Sequence, residues 1–405
     1  MKAFLGRVID GKSDRVLERG MVVTKEEKIV YVGKQGEYPL EAGSEIFEAE
    51  DGTILPGLID AHIHLTGEES IHRSGSQPYD LLLTSVRDLE DLVDAGITGV
   101  RDMSAFGRPL RDAVEKGNIR GPRIMPGGKV LSITSGHGDW DVRLTPEESN
   151  RFSMSGFLAD GPESCYRAAR MQFREGAQFL KICATGGVSS AIDDVNDVEF
   201  SDEEIRVFVE EAERHHTYVT AHCTGTEGIK HAIRCGVRCI EHGVMLDEEG
   251  AQMLAEHHIP LVTTLTIALG LSQMKGLPEH MRKKAEALGD AAYRAFELAR
   301  KYKVTVALGT DYSNSPNTPF LGIGEEFYSL TRCGYTPMEA IHAGTFEGAV
   351  LMKMADKTGS LEEGKLGDIV LVEGNPIDDI RILSQADKVK VVMIGGKVLK
   401  NQLRK

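Results

Sequence analysis

The run Leu55-Pro56-Gly57-Leu58-Ile59-Asp60-Ala61-His62-Ile63-His64-Leu65 ends a short apolar segment with two histidines one residue apart. An apolar run opened by Pro-Gly predicts a buried β-strand. Side chains at positions i and i+2 of a strand share a face, so His62 and His64 should project together. Since neutral imidazole is the commonest metal ligand, the run predicts a metal site at a strand end. The alternative is two solvated or internally satisfied histidines.

Composition limits the class of protein. The 405 residues, 41% hydrophobic and 27% charged, are typical of a soluble globular protein. The net charge of -15 argues against a nucleic-acid partner, because phosphate binding needs a basic surface. Without an apolar leader or a long apolar run, we expect a cytoplasmic protein with no membrane partner. The six cysteines show no Cys-x-x-Cys spacing and are expected to be buried free thiols.

The middle of the chain, residues 56–357, alternates short apolar runs with helix-like segments. Ser201 with Glu204, and Thr336 with Glu339, are capping boxes that mark helix starts. Eight alternations of strand and helix predict a parallel (β/α)₈ TIM barrel, an α/β fold. The predicted strands are Gly57–Leu65, Thr98–Met103, Arg123–Leu131, Phe179–Thr185, Tyr218–Cys223, Cys239–His242, Leu261–Thr266 and Thr305–Asp311.

The two ends of the chain are rich in short strands instead. Residues 1–55 and 358–405 both alternate apolar runs with charged and glycine turns. Gly395-Gly396 between two apolar runs predicts a two-residue hairpin. We therefore expect the two ends to form one small composite β-sandwich beside the barrel.

Polar residues end most of the predicted barrel strands. In a barrel of this kind, catalytic residues lie at the carboxyl ends of the strands. These positions hold four histidines, one lysine and one aspartate: His62, His64, Lys181, His222, His242 and Asp311. The sequence therefore predicts that six polar groups meet at the barrel mouth.

Each of these residues alone has a simpler interpretation. His222 or His242 could be a structural histidine with its hydrogen bonds satisfied. Asp311 could cap the helix that follows it. Lys181 lies in an apolar strand, where lysine is rarely buried unless paired, so it could reach solvent or pair with Glu241. The combination favours function because chance would not place all of them at strand ends.

These motifs resemble those of the amidohydrolase superfamily. The stretch from Pro56 to His64, followed by Lys181, His222, His242 and Gly309-Thr310-Asp311, carries the resemblance. A narrower resemblance is to the bacterial prolidase-like group, which cleaves Xaa-Pro dipeptides or Xaa-Arg/Lys. That match rests on Leu180 to Gly187, on Gly136-His137-Gly138, and on His222 with Gly225 and Gly228-Ile229. The resemblance spans essentially the whole chain.

The resemblance implies a centre of two divalent metal ions, usually zinc. One ion would be held by His62, His64 and Asp311, the other by His222 and His242, with carboxylated Lys181 and a hydroxide bridging them. A protonated lysine amine has no acceptor and cannot bind a metal. Its carbamate, formed with carbon dioxide, offers anionic oxygens like the carboxylates that zinc accepts.

The resemblance also implies two groups that act on substrate. Asp311 would accept the proton of the attacking hydroxide and pass it to the leaving amine. His137 would contact the substrate carbonyl or the oxyanion; the alternative is an ordinary loop histidine. His137 and the only tryptophan, Trp140, lie in a long segment, 132–161, of the kind that often forms a lid.

Other polar residues near the strand ends have weaker claims. Five of them could face the substrate, although packing or helix capping is the favoured interpretation: Thr224, Thr226, Glu227, Thr264 and Thr266. The acidic segment from Asp193 to Glu199 is predicted to be a solvated face. Its alternative is a rim that attracts cationic substrates.

The sequence favours a metal-dependent amide hydrolase that acts on a dipeptide or an N-acyl amino acid and releases the C-terminal amino acid. A second possibility is a hydrolase of cyclic amides, like imidazolonepropionase or hydantoinase. Lys181 weighs against imidazolonepropionase, whose family uses one metal and no bridging lysine. The third is a catalytically silent barrel that binds a small ligand, which metal analysis would distinguish. We also expect a homo-oligomer.

Overall fold

The computed structural model describes residues 1–65, 78–274 and 276–403. The chain begins with four strands, as the apolar runs of its first segment predict. They are β1 (Lys2–Ile9), β2 (Val16–Lys25), β3 (Lys28–Lys34) and β4 (Glu45–Pro56). Val22 and Val23 of β2 are fully buried, and the charged turn at 26–27 separates β2 from β3.

Ten further strands build the barrel and its rim. They are β5 (Leu58–Ile63), β6 (Ile97–Asp102), β7 (Arg123–Pro126), β8 (Val130–Ser132), β9 (Gly156–Leu158), β10 (Leu180–Cys183), β11 (Val219–Cys223), β12 (Cys239–His242), β13 (Leu261–Val262) and β14 (Val306–Ala307). All their pairings are parallel. Ala61 N donates to Leu308 O (2.8 Å) and closes the ring. The predicted (β/α)₈ barrel is therefore confirmed.

Several observed strands are shorter than predicted, among them β5, β10 and β14. For the third and seventh predicted strands, the backbone shows why. The third is split into β7 and β8 at Gly127-Gly128, where Gly128 has φ 73° and a Cβ on Gly127 would lie 2.5 Å from Phe179 Cζ. The seventh was expected to reach Thr266, but β13 ends at Val262. Thr264 has φ 64°, and this left-handed conformation turns the chain into a helix at once.

Helices follow the strands and cover the barrel. Ser201 and Thr336 form the predicted capping boxes at the starts of their helices. None of the helices in the described ranges is both long and apolar enough to span a membrane. The helices are α1 (Pro78–Asp94), α2 (Gly107–Glu115), α3 (Pro146–Phe152), α4 (Pro162–Arg174), α5 (Asp202–Arg214), α6 (Thr226–Arg234), α7 (Glu248–Glu256), α8 (Leu265–Gly270), α9 (Glu279–Leu288), α10 (Ala291–Lys301), α11 (Glu325–Arg332), α12 (Pro337–His342) and α13 (Gly348–Leu351).

The last three strands, β15 (Ile369–Glu373), β16 (Val389–Ile394) and β17 (Lys397–Asn401), join the first four. Together they form one seven-stranded sheet in the order β17-β16-β15-β4-β1-β2-β3. The sheet curls back on itself, because Ile29 N in β3 donates to Lys365 O just before β15 (2.9 Å). Both termini thus build the expected extra β domain. The division of the chain at residues 56 and 358 stays a prediction.

An ion pair fastens the β domain to the barrel. Arg123 at the start of β7 donates from Nε and Nη2 to the two carboxylate oxygens of Asp368 (2.9 and 3.0 Å). The Asp368 side chain is 1% exposed and also accepts from Thr358 Oγ1 (2.8 Å) and Gly395 N (2.6 Å). Asp368 therefore links three parts of the molecule: Arg123 of the barrel, Thr358 in the segment that follows the barrel, and Gly395 in the hairpin of β16 and β17.

Arg123→Ala should lower the free energy of unfolding by about 2–3 kcal/mol, because a buried carboxylate loses two charge-assisted hydrogen bonds. Urea unfolding followed by circular dichroism measures the loss. The matched control is Arg206→Ala. Arg206 pairs with the exposed Asp202, and removing such a pair should lower the free energy of unfolding by about 0.5 kcal/mol or less. Equal losses in the two variants would show that Asp368 does not depend on Arg123.

Candidate metal centre

His62 and His64 leave β5 on the same side, as their spacing predicts. Their Nε2 atoms lie 3.3 and 2.9 Å from the same oxygen, Oδ1 of Asp311. Asp311 follows β14, and its backbone N–H donates to His62 O (2.7 Å). The closure of the barrel between its first and eighth strands therefore brings these three side chains together.

The second ring nitrogen of each histidine is held by the protein. Nδ1 of His62 donates to Oε2 of Glu241 (2.8 Å), and Nδ1 of His64 donates to Met103 O (3.2 Å). Both rings consequently present Nε2 to the centre of the mouth. This arrangement is typical of metal-binding histidines, whose other nitrogen is usually held by a carboxylate or a carbonyl.

His222 and His242 come from the ends of β11 and β12. Potential ligand atoms of His62, His242 and Asp311 lie within 4.8 Å of one another. Nδ1 of His242 contacts Thr264 Oγ1 (2.8 Å), which leaves Nε2 for the centre. Nε2 of His222 donates to Gly186 O (3.3 Å), which leaves Nδ1 without its proton. The two rings lie 4.6 Å apart.

The charges at the mouth suit metal ligands. Burial, assisted by neighbouring positive groups, lowers the pKa of His222 and His242 well below its usual value. Both imidazoles are therefore neutral, which is the form that binds a metal. Burial raises the pKa of Asp311, but His62 and His64 outweigh it and hold the pKa well below its ordinary range. Asp311 is therefore ionised.

Lys181 in β10 points into the same mouth. It is 3% exposed, and its positive charge contributes to the low pKa values of His222 and His242. Within the described ranges, its ammonium has neither a hydrogen bond nor an ion pair. The pairing with Glu241 considered from sequence is wrong, because Glu241 binds Arg101 instead (2.6 Å). Lys181 is thus a buried amine without a direct hydrogen bond or ion pair to any residue that the structure describes, although its charge helps to lower the pKa of Glu241.

Arg101 and Glu241 form a fully buried ion pair under the mouth. Arg101 also donates to Ala61 O (2.6 Å) and Tyr218 Oη (3.0 Å). Arg101 and His62 outweigh the effect of burial and keep the pKa of Glu241 well below its usual value. Sequence reasoning missed Arg101 as a supporting residue. Its signal was a charged residue in an apolar strand, the same signal that drew attention to Lys181.

His137 lies at the mouth beside the metal-ligand candidates. It follows β8, and its ring stacks on that of His222 with 4.3 Å between centroids. Its Nδ1 donates to Asp193 Oδ2 (2.9 Å). A Cβ on Gly187 would lie 2.3 Å from Cε1 of His137, so the loop after β10 can cover this ring only with glycine at position 187.

The acidic segment after β10 is a solvated face only in its middle, where Asp194, Asn196 and Asp197 are exposed; its two ends, Asp193 and Glu199, are buried, which the sequence did not predict. Asp193 is buried and also accepts from Lys284 Nζ in α9 (2.6 Å) and from Gly187 N (3.0 Å). Burial raises the pKa of Asp193, but His137 and Lys284 outweigh it and lower it to about 2. Glu199 is buried too; it accepts from His137 N, and burial raises its pKa to about 8.

The weaker polar candidates mostly support other groups. Thr264 contacts the His242 ring and Thr224 contacts the His222 ring. Thr226 donates to Met245 O, Glu227 pairs with Lys230, and Thr266 donates to Glu326. The long segment 132–161 holds α3 and β9, and it places Trp140 edge-on to His137 at 5.5 Å.

The mouth encloses a cavity of about 80 Å³. Its lining brings together all seven predicted site residues, with a few neutral side chains between them. The lining residues are His62, His64, Val130, His137, Trp140, Ser155, Lys181, Cys183, Ser189, His222, His242 and Asp311. A cluster of imidazoles, a carboxylate and an amine in a small cavity is equipped to bind metal ions and to move protons.

A (β/α)₈ barrel with histidines and an aspartate converging at its carboxyl end has the architecture of a hydrolase barrel. The model of the amidohydrolase family matches residues 53–399, so the chain belongs to that family. It is 31% identical to ochratoxinase of Aspergillus niger, over 98% of this chain and 86% of that protein. These relationships support hydrolytic activity.

Solved structures extend the comparison. A prolidase bound to N-methylphosphonate-L-proline superimposes with a TM-score of 0.92 at 30% identity, covering 99% of this chain and all of that one. A Xaa-Pro dipeptidase with bound methionine gives a TM-score of 0.87 at 30% identity and the same coverage. The resemblance to prolidase-like amidohydrolases inferred from sequence is confirmed.

Asp193 should make stability depend on pH. Its folded pKa of about 2 lies below the ordinary 3.8, so its contribution is present above about pH 4 and is lost as the pH falls towards 2. We expect Asp193→Asn to be less stable than the parent by about 2 kcal/mol above pH 4, with the difference shrinking below it. Urea unfolding at several pH values measures this. Asp194→Asn, an exposed neighbour, is the control, and a pH-independent difference would contradict the assignment.

Proposed function

We propose that this protein is a metal-dependent amide hydrolase that cleaves a dipeptide or an N-acyl amino acid and releases the C-terminal amino acid. The observation that carries the proposal is the meeting of four imidazoles, an ionised aspartate and a buried amine in one cavity. We further propose that it works in the cytoplasm as a homo-oligomer.

The donor set fits two divalent ions, and its imidazole and carboxylate ligands are those that zinc favours. His62, His64 and Asp311 would hold one ion, and His222 and His242 the other, with carboxylated Lys181 between them. Carboxylation would turn the buried ammonium of Lys181, which cannot bind a metal, into an anionic oxygen donor of the kind that zinc accepts. Two bound ions would acidify a water molecule and polarise the scissile carbonyl.

Two residues of the chain would act on the substrate. Asp311, kept ionised by its neighbours, can accept the proton of the attacking water and deliver it to the leaving amine. His137, oriented through Nδ1 by Asp193, presents its other nitrogen to the cavity. With a proton on that nitrogen, it can donate to the carbonyl oxygen as negative charge develops there.

The relatives support an acyclic amide as the substrate. The names of the prolidase and the Xaa-Pro dipeptidase describe cleavage next to a C-terminal residue, and the prolidase was solved with an analogue that carries L-proline. Of the cyclic-amide alternatives, the imidazolonepropionase type is less well supported, because Lys181 has no role in a centre with one metal; the hydantoinase type is left to the substrate screen. A silent barrel would not need the ionised Asp311 beside neutral imidazoles.

A substrate screen tests the proposal directly. Dipeptides and N-acyl amino acids varied at the C-terminal position should include compounds hydrolysed with release of the free amino acid, detected by amine-reactive labelling. A panel of cyclic amides, assayed in parallel, distinguishes the proposed activity from that of a cyclic-amide hydrolase. Turnover of cyclic amides alone, or of neither panel by metal-loaded protein, would overturn the assignment.

Lys181→Ala should lose both metal and activity, since the bridging oxygen donor disappears. Elemental analysis of protein purified without chelator should find close to two divalent ions in the parent chain and fewer in the variant. Short carboxylic acids added to the variant should partly restore turnover by supplying the missing oxygens. Lys129→Ala is a control, because Lys129 is a mostly buried lysine that donates to Asn150 O outside the cavity. Full metal content and turnover in Lys181→Ala would exclude the bridge.

His137→Ala should lower kcat/KM by about 10²–10³, the usual effect of removing one oxyanion donor. Metal content should stay that of the parent, because His137 is not among the proposed ligands. The loss should be similar for every substrate, since the carbonyl is common to all. Ser189→Ala, which removes the hydroxyl 3.2 Å from Nε2 of His137, controls for changes in the cavity wall. A loss confined to certain C-terminal residues would mean that His137 recognises the side chain or carboxylate.

A further inference from the structure

A second cavity lies at the opposite end of the barrel. It encloses about 1020 Å³ between the amino ends of the barrel strands and the hairpin of β16 and β17. We call it the lower cleft; its lining residues fall in five segments, 111–125, 173–178, 215–217, 352–357 and 394–399. It shares no lining residue with the metal centre. Clefts between structural units are common places for small-molecule sites.

The lower cleft is strongly cationic. Its lining carries six basic side chains and one carboxylate: Arg111, Arg120, Arg123, Lys353, Lys357 and Lys397 against Glu115. The chain as a whole has a net charge of -15, so this concentration of positive charge runs against its composition. The three arginines are each paired with a carboxylate that does not line the cleft, namely Asp112, Asp94 and Asp368.

The three lysines are not paired in this way. Lys353 Nζ donates to His216 O and lies 5.6 Å from the centroid of the Tyr218 ring. Throughout the part of the chain that the structure describes, Lys353, Lys357 and Lys397 take part in no ion pair. Burial lowers the pKa of Lys353, which shows that its charge is poorly compensated. All three lysines are exposed, so the cleft keeps unpaired positive charge that a bound anion can reach from solvent.

The walls of the lower cleft are apolar. Val114, Ile119, Phe173, Ile394 and Leu399 all line it, and each packs partly against the main core while part of its surface stays open. A ligand that matches both open apolar surface and unpaired cations needs a hydrophobic body and a negatively charged group. Inorganic anions satisfy only the second, and neutral apolar molecules satisfy only the first.

We infer that the lower cleft is a binding site for an organic anion that has an aromatic or aliphatic body and at least one acidic group. The acidic group is attracted by Lys353, Lys357 and Lys397, and the body covers the open surfaces of residues such as Ile119 and Leu399. This inference does not depend on the proposed hydrolase activity, because none of these residues belongs to the metal centre.

Anilinonaphthalene sulfonate, a fluorescent aromatic anion, is a suitable probe. Titrated into the metal-loaded protein, it should bind saturably with a stoichiometry of one. Lys357→Gln combined with Lys397→Gln should weaken its affinity about tenfold, because two favourable charges near the surface are lost. The matched control combines Lys283→Gln with Lys301→Gln, exposed lysines outside the cleft, and should change the affinity less than twofold. Turnover should be unaffected in both.

Several results would overturn the inference. They are the absence of saturable binding, equal affinities in the two double variants, or displacement of the probe by a metal-centre inhibitor. Sodium sulfate at equal ionic strength should compete much less well than benzoate; equal competition would show that the apolar walls contribute nothing. A change in sedimentation coefficient of the Lys357/Lys397 variant would instead assign the cleft to contacts between copies of this chain.

Discussion

The buried ion pair between Arg101 and Glu241 is the constraint on which the mouth of the barrel depends. Both side chains are fully buried, and such charges are tolerated only when each is compensated and hydrogen-bonded. One oxygen of Glu241 binds Arg101 and the other binds His62. The orientation of His62 is thus set by the same interaction that makes charge burial possible inside the barrel. Stability and the geometry of the centre cannot be varied independently at these positions.

A second set of polar contacts, largely shielded from solvent, holds the loops over the mouth. Lys284 in α9 binds Asp193, and Asp193 binds His137. These residues come from three separate segments, which follow β13, β10 and β8. Loops are usually the most mobile parts of a barrel, but here charged groups shielded from solvent tie them to one another. His137 therefore owes its position to groups distant in sequence rather than to its own glycine-rich surroundings.

The features that sequence predicted are those with a local signal. Apolar runs ending in histidine, lysine or aspartate identified the strands, and barrel geometry then placed the polar ends together. The kink at Gly127-Gly128 and the early end of β13 were not predicted, because close packing and a left-handed residue decide them. The burial of Asp193 and Glu199 was also missed. Their acidic neighbours suggested solvent exposure, and only contact with His137 and Lys284, over 50 residues away, makes burial favourable.

The seven-stranded sheet shared by the two termini has a consequence for how the chain is made. β4 pairs with β1 on one side and with β15 on the other, so its second edge stays open until the end of the chain is available. During synthesis, the ribosome releases the barrel segments long before β15 to β17. Until β15 has been made, one edge of β4 therefore exposes unpaired backbone groups and apolar side chains. An unpaired strand edge of this kind can pair with another chain and cause aggregation. A chain that lacked β15 to β17 would keep this edge of β4 exposed and would remain prone to aggregation.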